Sequence, residues 1–304
     1  DEFKVIRDAS IQNHIQKTIA QYNDFDIAKV LYLLYREEFV LAAIKDKKWY
    51  RFRQNRWYPS ERGSALRLLL SDTVSKIYLR NEQKMVDNVI SCEDDNEQLM
   101  SQRKAAKYAE IGLKLKKTTY KNYIMSEAGD LFYDENFYEK LDSNPNLICF
   151  KNGIVDIEQK RFREGTGTDY CSMCTHINYI KIDENNEEHM KIVDEIKDFM
   201  EKLFPDPELR KYMWEFLAAI LIGHNDNQTF HFFLGVGSNG KSLLIELLEK
   251  CLGDYKGTAP LTMITGNRTR EGQATPEIVS LRGKRLAVLQ EAKKNTVLNE
   301  GTFK

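Results

Sequence analysis

The chain has 304 residues, 45 lysines and arginines against 46 acids, and a formal net charge of −1. Its 42% hydrophobic and 30% charged residues are ordinary for a globular protein and exclude a disordered or collagen-like chain. Near-neutral charge also excludes a globally polycationic nucleic-acid binder, so any such contact must come from basic groups gathered locally.

Five cysteines (Cys92, Cys149, Cys171, Cys174 and Cys251) fit a reducing compartment better than a disulfide framework. The polar beginning, DEFKVIRDAS, does not read as a signal peptide. The longest apolar run, Leu217–Gly223, is too short to span a bilayer, so no membrane partner is expected.

In chain order, residues 1–44 read as helical. Ile27, Val30, Leu31, Leu34, Val40, Leu41 and Ile44 fall near one stripe, and Asp24 or Asp26 can cap the start. In KKWYRFRQNRWY (47–58), aromatic and basic residues alternate around Gln54-Asn55, which predicts a β-hairpin. Ser64 opens a helical stretch carrying Leu66, Leu69, Leu70, Val74, Ile77 and Tyr78. SCEDDNEQ (91–98) is an acidic break, and 103–117 returns to helix. NPNLICFKNGIVDIEQKRFREG predicts short strands with a tight turn at Asn152-Gly153.

DENNEEH (183–189) reads as a linker. We therefore expect a helical region with short strands over 1–182 and a second domain over 183–304, with a helical lead-in (190–224) and a core (228–304). In the lead-in, Asp206 is a good N-cap, Pro207 suits the first helical position, and Gly223 can end the helix.

The chemistry concentrates in FHFFLGVGSNGKS (230–242). The apolar run 230–234 reads as a buried strand and LLIELLEKCLG as the helix after it. Between them, Gly235, four residues and Gly240-Lys241-Ser242 match the P-loop pattern. Glycines let backbone N–H groups turn inward around phosphate oxygens, and the new helix aims its positive end at the same place. The expected ATP-binding residues are Gly235, Val236, Gly237, Ser238, Asn239, Gly240, Lys241 and Ser242. Lys241 would reach the β- and γ-phosphates, and Ser242 would ligate Mg²⁺.

RLAVLQE (285–291) supplies a strand ending in an acid, expected beside the P-loop strand. Glu291 would polarise the attacking water. Gln290 stands where many P-loop enzymes carry a second acid; a neutral amide there counts against direct carboxylate ligation of Mg²⁺, so Glu291 would act on the metal through water.

GVGSNGKS with LLIELLEKCLGDY, and LRGKRLAVLQEAKKNTVLNEGTFK, resemble the superfamily 3 helicases of the primase-helicase type. These occur in nucleo-cytoplasmic large DNA viruses, including the poxvirus replicative helicase, and in some phages and satellites. NLICFKNGIVDI, KRFREGTGTDY and the hairpin are similar to the region that precedes the helicase in that family.

The resemblance implies an α/β P-loop module of the AAA+-like superfamily 3 type, incomplete at its C-terminus, after a mixed, mainly helical α+β region. It implies an ATP-dependent DNA helicase in viral or phage genome replication, using ATP and Mg²⁺, with DNA as partner and other replication proteins nearby. It further implies a hexameric ring in which a neighbour's arginine completes each ATP site. The host-cell cytoplasm would be the site of action for a large DNA virus, and the cytoplasm otherwise. The primase domain, the late asparagine and the arginine-finger segment are not recognised, so the chain reads as a piece of a longer protein. Two rival readings are an ATPase that remodels or loads a protein partner, and a non-enzymatic oligomerisation or docking piece.

Weaker signals have plainer explanations. Lys114, Lys116 and Lys117, in a basic stretch from Arg103 to Lys121, are candidate DNA contacts, but a solvated helix face is the default. The hairpin aromatics suit base stacking, but packing of the aromatic face on the helices, with the charges solvated, explains them better. Cys171-Ser-Met-Cys174-Thr-His176 resembles half a zinc site without a second half; packing of small residues explains it better.

Overall fold

The computed structural model describes residues 9–225, 229–235, 239–265, 276–289 and 297. The chain divides into two compact units: residues 1–53 with 57–139, and residues 54–56 with 140–304.

The first unit opens with α1 (Ala9–Ala20) and α2 (Asp24–Tyr35). Asn23 caps α2, its side chain accepting from the Asp26 amide at 2.7 Å. Neither aspartate caps the helix: Asp26 lies inside its first turn, paired with Lys17 at 3.0 Å. The helical reading of 1–44 fails beyond Tyr35. Residues Phe39–Ala43 form β1, antiparallel to β2 (Lys48–Arg53), and β3 (Arg56–Glu61) follows as the third strand. β1 is buried at four consecutive positions, so its sequence shows no alternation to separate it from a helix. The β2–β3 hairpin is as expected. Gln54 (φ 49°) and Asn55 (φ 66°) are both left-handed, the geometry whose twist matches a two-residue hairpin.

After β3 come α3 (Ser64–Leu69), a π-helical turn (Leu70–Val74), α4 (Ser75–Ser91), α5 (Asp95–Lys114) and α6 (Thr118–Phe132). The acidic break places Asp94 as N-cap of α5. α4 and α5 pack closely: the buried Ser75 hydroxyl donates to the Gly112 carbonyl at 2.7 Å. A side chain at 112 would begin 2.9 Å from Leu79. The core joins Ile15, Leu31, Leu34, Leu66, Leu70 and Ile111. Trp49 belongs to it and meets Phe132 edge-on, while Trp57 packs on Phe137 of the short α7 (Phe137–Lys140). The tryptophans thus take the packing role.

The second unit contains the antiparallel sheet β4 (Leu147–Phe150), β5 (Gly153–Asp156) and β6 (Arg161–Arg163). The tight turn is Lys151-Asn152, one residue earlier than expected, since Phe150 pairs with Gly153. Gly153 is instead the first residue of β5, where a Cβ would lie 2.6 Å from the Arg163 carbonyl oxygen.

The segment read as a linker leads into α8 (Glu187–Leu203), capped by Asn186. α9 (Pro207–Leu221) starts as expected on the Asp206 cap with Pro207 in its first turn. α10 (Lys241–Leu252), β7 (Lys256–Thr258), the short α11 (Thr262–Thr265) and α12 (Pro276–Ser280), and β8 (Leu286–Val288) complete the described elements.

β7 and β8 pair in parallel. The expected strand at 230–234 is not assigned, and among the described residues β8 pairs with β7 rather than with it. A run becomes a strand only when a neighbour takes its backbone hydrogen bonds. The run is also not the buried segment expected: Phe233 contacts Phe216 of α9 and the His231 ring lies 4.3 Å from the same ring, but Phe230, His231, Phe232 and Leu234 are exposed. Of the α/β module expected over 228–304, the described residues thus contain α10, the short α11 and α12, and one parallel strand pair.

Candidate functional site

Loop and helix meet at Gly235–Ser242. Gly240 adopts φ 81°, ψ −5°, a left-handed conformation that favours glycine, and α10 begins at the next residue. Leu203 stands where a side chain at 240 would go, 2.5 Å from the ideal Cβ position. α10 is held from behind by Leu244, which is 1% exposed and clusters with Met200 of α8 and Met213 of α9. The front stays open, with Asn239 and Ser242 exposed.

Lys241 folds back over the loop. Its Nζ donates to the Asn239 side-chain oxygen at 2.7 Å and to the Gly235 carbonyl at 3.3 Å. Sequence reasoning therefore places Gly235, Asn239, Gly240, Lys241 and Ser242 together, and the structure does bring Gly235, Asn239 and Lys241 into contact. Val236, Gly237, Ser238 and Glu291 lie outside the described residues. The donor set suits a phosphate: one flexible ammonium, an exposed hydroxyl for a metal, and a twelve-residue helix beginning at the lysine. Ser242 and Glu291 remain the candidates for Mg²⁺.

Behind α10 lies a polar network that the sequence did not announce. Asp254, just past the helix, accepts from His176 Nε2 at 2.7 Å, from the Cys174 amide at 3.0 Å and from Arg56 at 3.1 Å. Burial pushes the Asp254 carboxyl up, but these donors outweigh it and hold it below the ordinary carboxylate range. Tyr255 is buried beside it; its hydroxyl accepts from the Cys149 amide at 2.9 Å. Arg285, at the entrance to β8, donates to the carbonyls of Leu147 (2.6 Å) and Leu221 and lies over the Tyr255 ring. These contacts tie β4, α9 and the β7–β8 pair to the helix that carries Lys241.

Cys149, Cys171 and Cys174 are buried in one apolar cluster with Leu147 and Ile154. A hydrogen bond between Cys149 and Cys174 is the largest influence on both, raising the first thiol and lowering the second. Among the described residues, no group of three or more His, Cys, Asp or Glu side chains is arranged to hold a metal ion.

The candidate DNA lysines sit around the turn between α5 and α6. Lys114 is paired with Glu110 at 2.7 Å and stacked over Tyr22, whereas Lys116 and Lys117 are exposed.

The comparisons with known proteins agree with the resemblance seen in the sequence. The family described as "D5 N terminal like" matches residues 28–220, more than half of the chain, and the chain belongs to that family. A protein of Acanthamoeba polyphaga mimivirus named "Putative helicase" is 34% identical over 278 residues, covering 91% of this chain and 28% of the relative. A "Putative helicase" of Invertebrate iridescent virus 3 is 30% identical over 283 residues, covering 86% and 29%. A "Putative primase" of African swine fever virus is 22% identical over 326 residues, covering 100% and 33%. The chain thus spans about a third of the length of these relatives or less.

Proposed function

We propose that this chain is part of a superfamily 3, ATP-dependent DNA helicase acting in the replication of a large DNA virus, within a primase-helicase that works as a hexameric ring. The observation that carries the reading is Lys241 at the head of α10, its ammonium drawn to Gly235 and Asn239 across a left-handed Gly240. Relatives named as helicases and primases of large DNA viruses support the replicative setting.

In this reading ATP with Mg²⁺ supplies the phosphoryl group whose hydrolysis drives movement. Gly235 to Ser242 cradle the phosphates with backbone amides, aided by the positive end of α10. Lys241 leaves its intramolecular partners to place its charge on the β- and γ-phosphates. That exchange is easy, because the lysine is partly exposed and gives up two neutral acceptors for an anion. Ser242 would hold the metal, and Glu291 would position water for attack.

The test is strand separation by the full-length protein. It should unwind a forked duplex only with ATP and Mg²⁺ and without a protein partner. ATP turnover with no unwinding would favour an enzyme that remodels proteins.

A further inference from the structure

The first unit carries a groove that the P-loop reading does not use, and of the basic stretch from Arg103 to Lys121 only Lys121 lines it. It holds about 950 Å³ between the β1–β2 turn, the end of β3, and the starts of α3 and α6. We infer that this groove binds the phosphate backbone of a single-stranded nucleic acid, with Lys47, Arg62 and Lys121 as its contacts.

Charge is the first argument. Five cations line the groove (Lys47, Lys48, Arg62, Arg67 and Lys121) against two carboxylates, Asp46 and Glu61. The whole chain carries −1, so this is a local concentration of positive charge. Among the described residues, no carboxylate lies within ion-pairing distance of Lys47, Arg62 or Lys121. Lys48 pairs only loosely with Asp46, at 3.7 Å with both side chains 58% exposed. Such a pair is worth little in water, so a phosphate would displace it readily. Arg67 is braced by the Thr118 carbonyl at 3.3 Å, which fixes its guanidinium in the wall.

The backbone presents one of these charges deliberately. Arg62 and Gly63 are consecutive left-handed residues, φ 49° and 66°. The turn lies flat on Trp49, whose ring would be 3.2 Å from a Cβ at 63. A non-glycine residue pays for φ > 0, and at position 62 that cost places an arginine on the groove's rim.

Aromatic rings supply the second argument. Tyr50 and Tyr138 line the groove half-buried, their rings edge-on with centroids 6.0 Å apart, and the buried Trp49 forms the floor. Unpaired bases stack on accessible rings such as Tyr50 and Tyr138, whereas a duplex keeps its base faces to itself. This chemistry selects a single strand over a duplex. It also selects a nucleic acid over an acidic peptide, which would use the cations but leave the rings unused. The inference does not depend on ATP, so it is measured without nucleotide.

The experiment is fluorescence anisotropy of a labelled 20-mer of thymidylate with the 304-residue chain over a range of salt. The comparison is a Lys47→Glu, Arg62→Glu, Lys121→Glu variant. A second variant, Lys191→Glu, Lys197→Glu, Lys202→Glu, on exposed positions of α8, makes the same change in net charge elsewhere. The groove variant should lose at least tenfold in affinity at low salt. Its log–log salt slope should flatten by about 2, for three phosphate contacts at roughly 0.7 each on a single strand. The α8 variant should keep the wild-type slope. A duplex of the same length should bind more weakly than the single strand. Circular dichroism verifies folding, and the corresponding triple glutamine variant repeats the test with a milder change. Equal losses in the groove and α8 variants, or an unchanged slope in the groove variant, would overturn the assignment. So would tighter binding of poly-glutamate than of thymidylate, which would give the groove to an acidic protein partner.

Discussion

Glu291 and Asp254 make the residue-scale claims most open to test. If Glu291 positions the attacking water, Glu291→Gln in the full-length protein should retain ATP but turn it over slowly. Filter binding and turnover separate the two; weakened ATP affinity with unchanged turnover would remove the catalytic role. Asp254 makes a claim about pH. Its folded-state pKa lies below the unfolded value of about 3.9. Its contribution to stability is therefore fully present above that pH and is lost as pH falls through the lower, folded value. Denaturant melts of wild type and Asp254→Asn should differ at pH 6 and converge towards pH 3. A constant difference across that range would show that the aspartate acts by shape rather than charge. The Glu291 role is an expectation from a strand ending in an acid and lies outside the described residues, whereas the Asp254 network could not be read from the sequence, because it joins Arg56, Cys174 and His176 from segments far apart.

At the scale of elements, what the sequence predicts well are those with strong local signals. The Asp206-Pro207 start of α9, the Gln54-Asn55 hairpin and the helix after Gly240 each carry their own punctuation. β1 carries none, because burial at four successive positions removes the two-residue alternation. The π-helical turn at Leu70–Val74 is likewise invisible, since its apolar spacing is that of a helix. Phe230–Leu234 shows the converse: the apolar run reads as a buried strand, but pairing is not a local property. In the proposed reading the element that matters most is α10, and Leu244 is what seats it. Leu244→Ala should cost about 2–5 kcal/mol, because the side chain is fully buried between α8 and α9. Thermal melts should show the loss, with nucleotide binding weakened in parallel as the helix head loosens. An unchanged melting temperature would mean that α10 is held by other contacts.

On the scale of the whole molecule, family membership rests on residues 28–220, all of which precede the P-loop motif. The match therefore supports a viral replication setting independently of the proposed ATP site, which rests on Gly235–Ser242. Among the described residues, no helix is long and apolar enough to cross a membrane. In a ring, each ATP site would be completed by a neighbouring subunit, and a cation supplied in this way accelerates hydrolysis by roughly 10³–10⁵. The central claim is that Lys241 belongs to an ATP site, and one measurement addresses it directly. ATP turnover by the full-length protein is compared for wild type and Lys241→Ala, with and without single-stranded DNA, after both are shown to fold alike. The account predicts Mg²⁺-dependent turnover in the wild type and none above background in the variant. Equal turnover in a well-folded Lys241→Ala protein would contradict it.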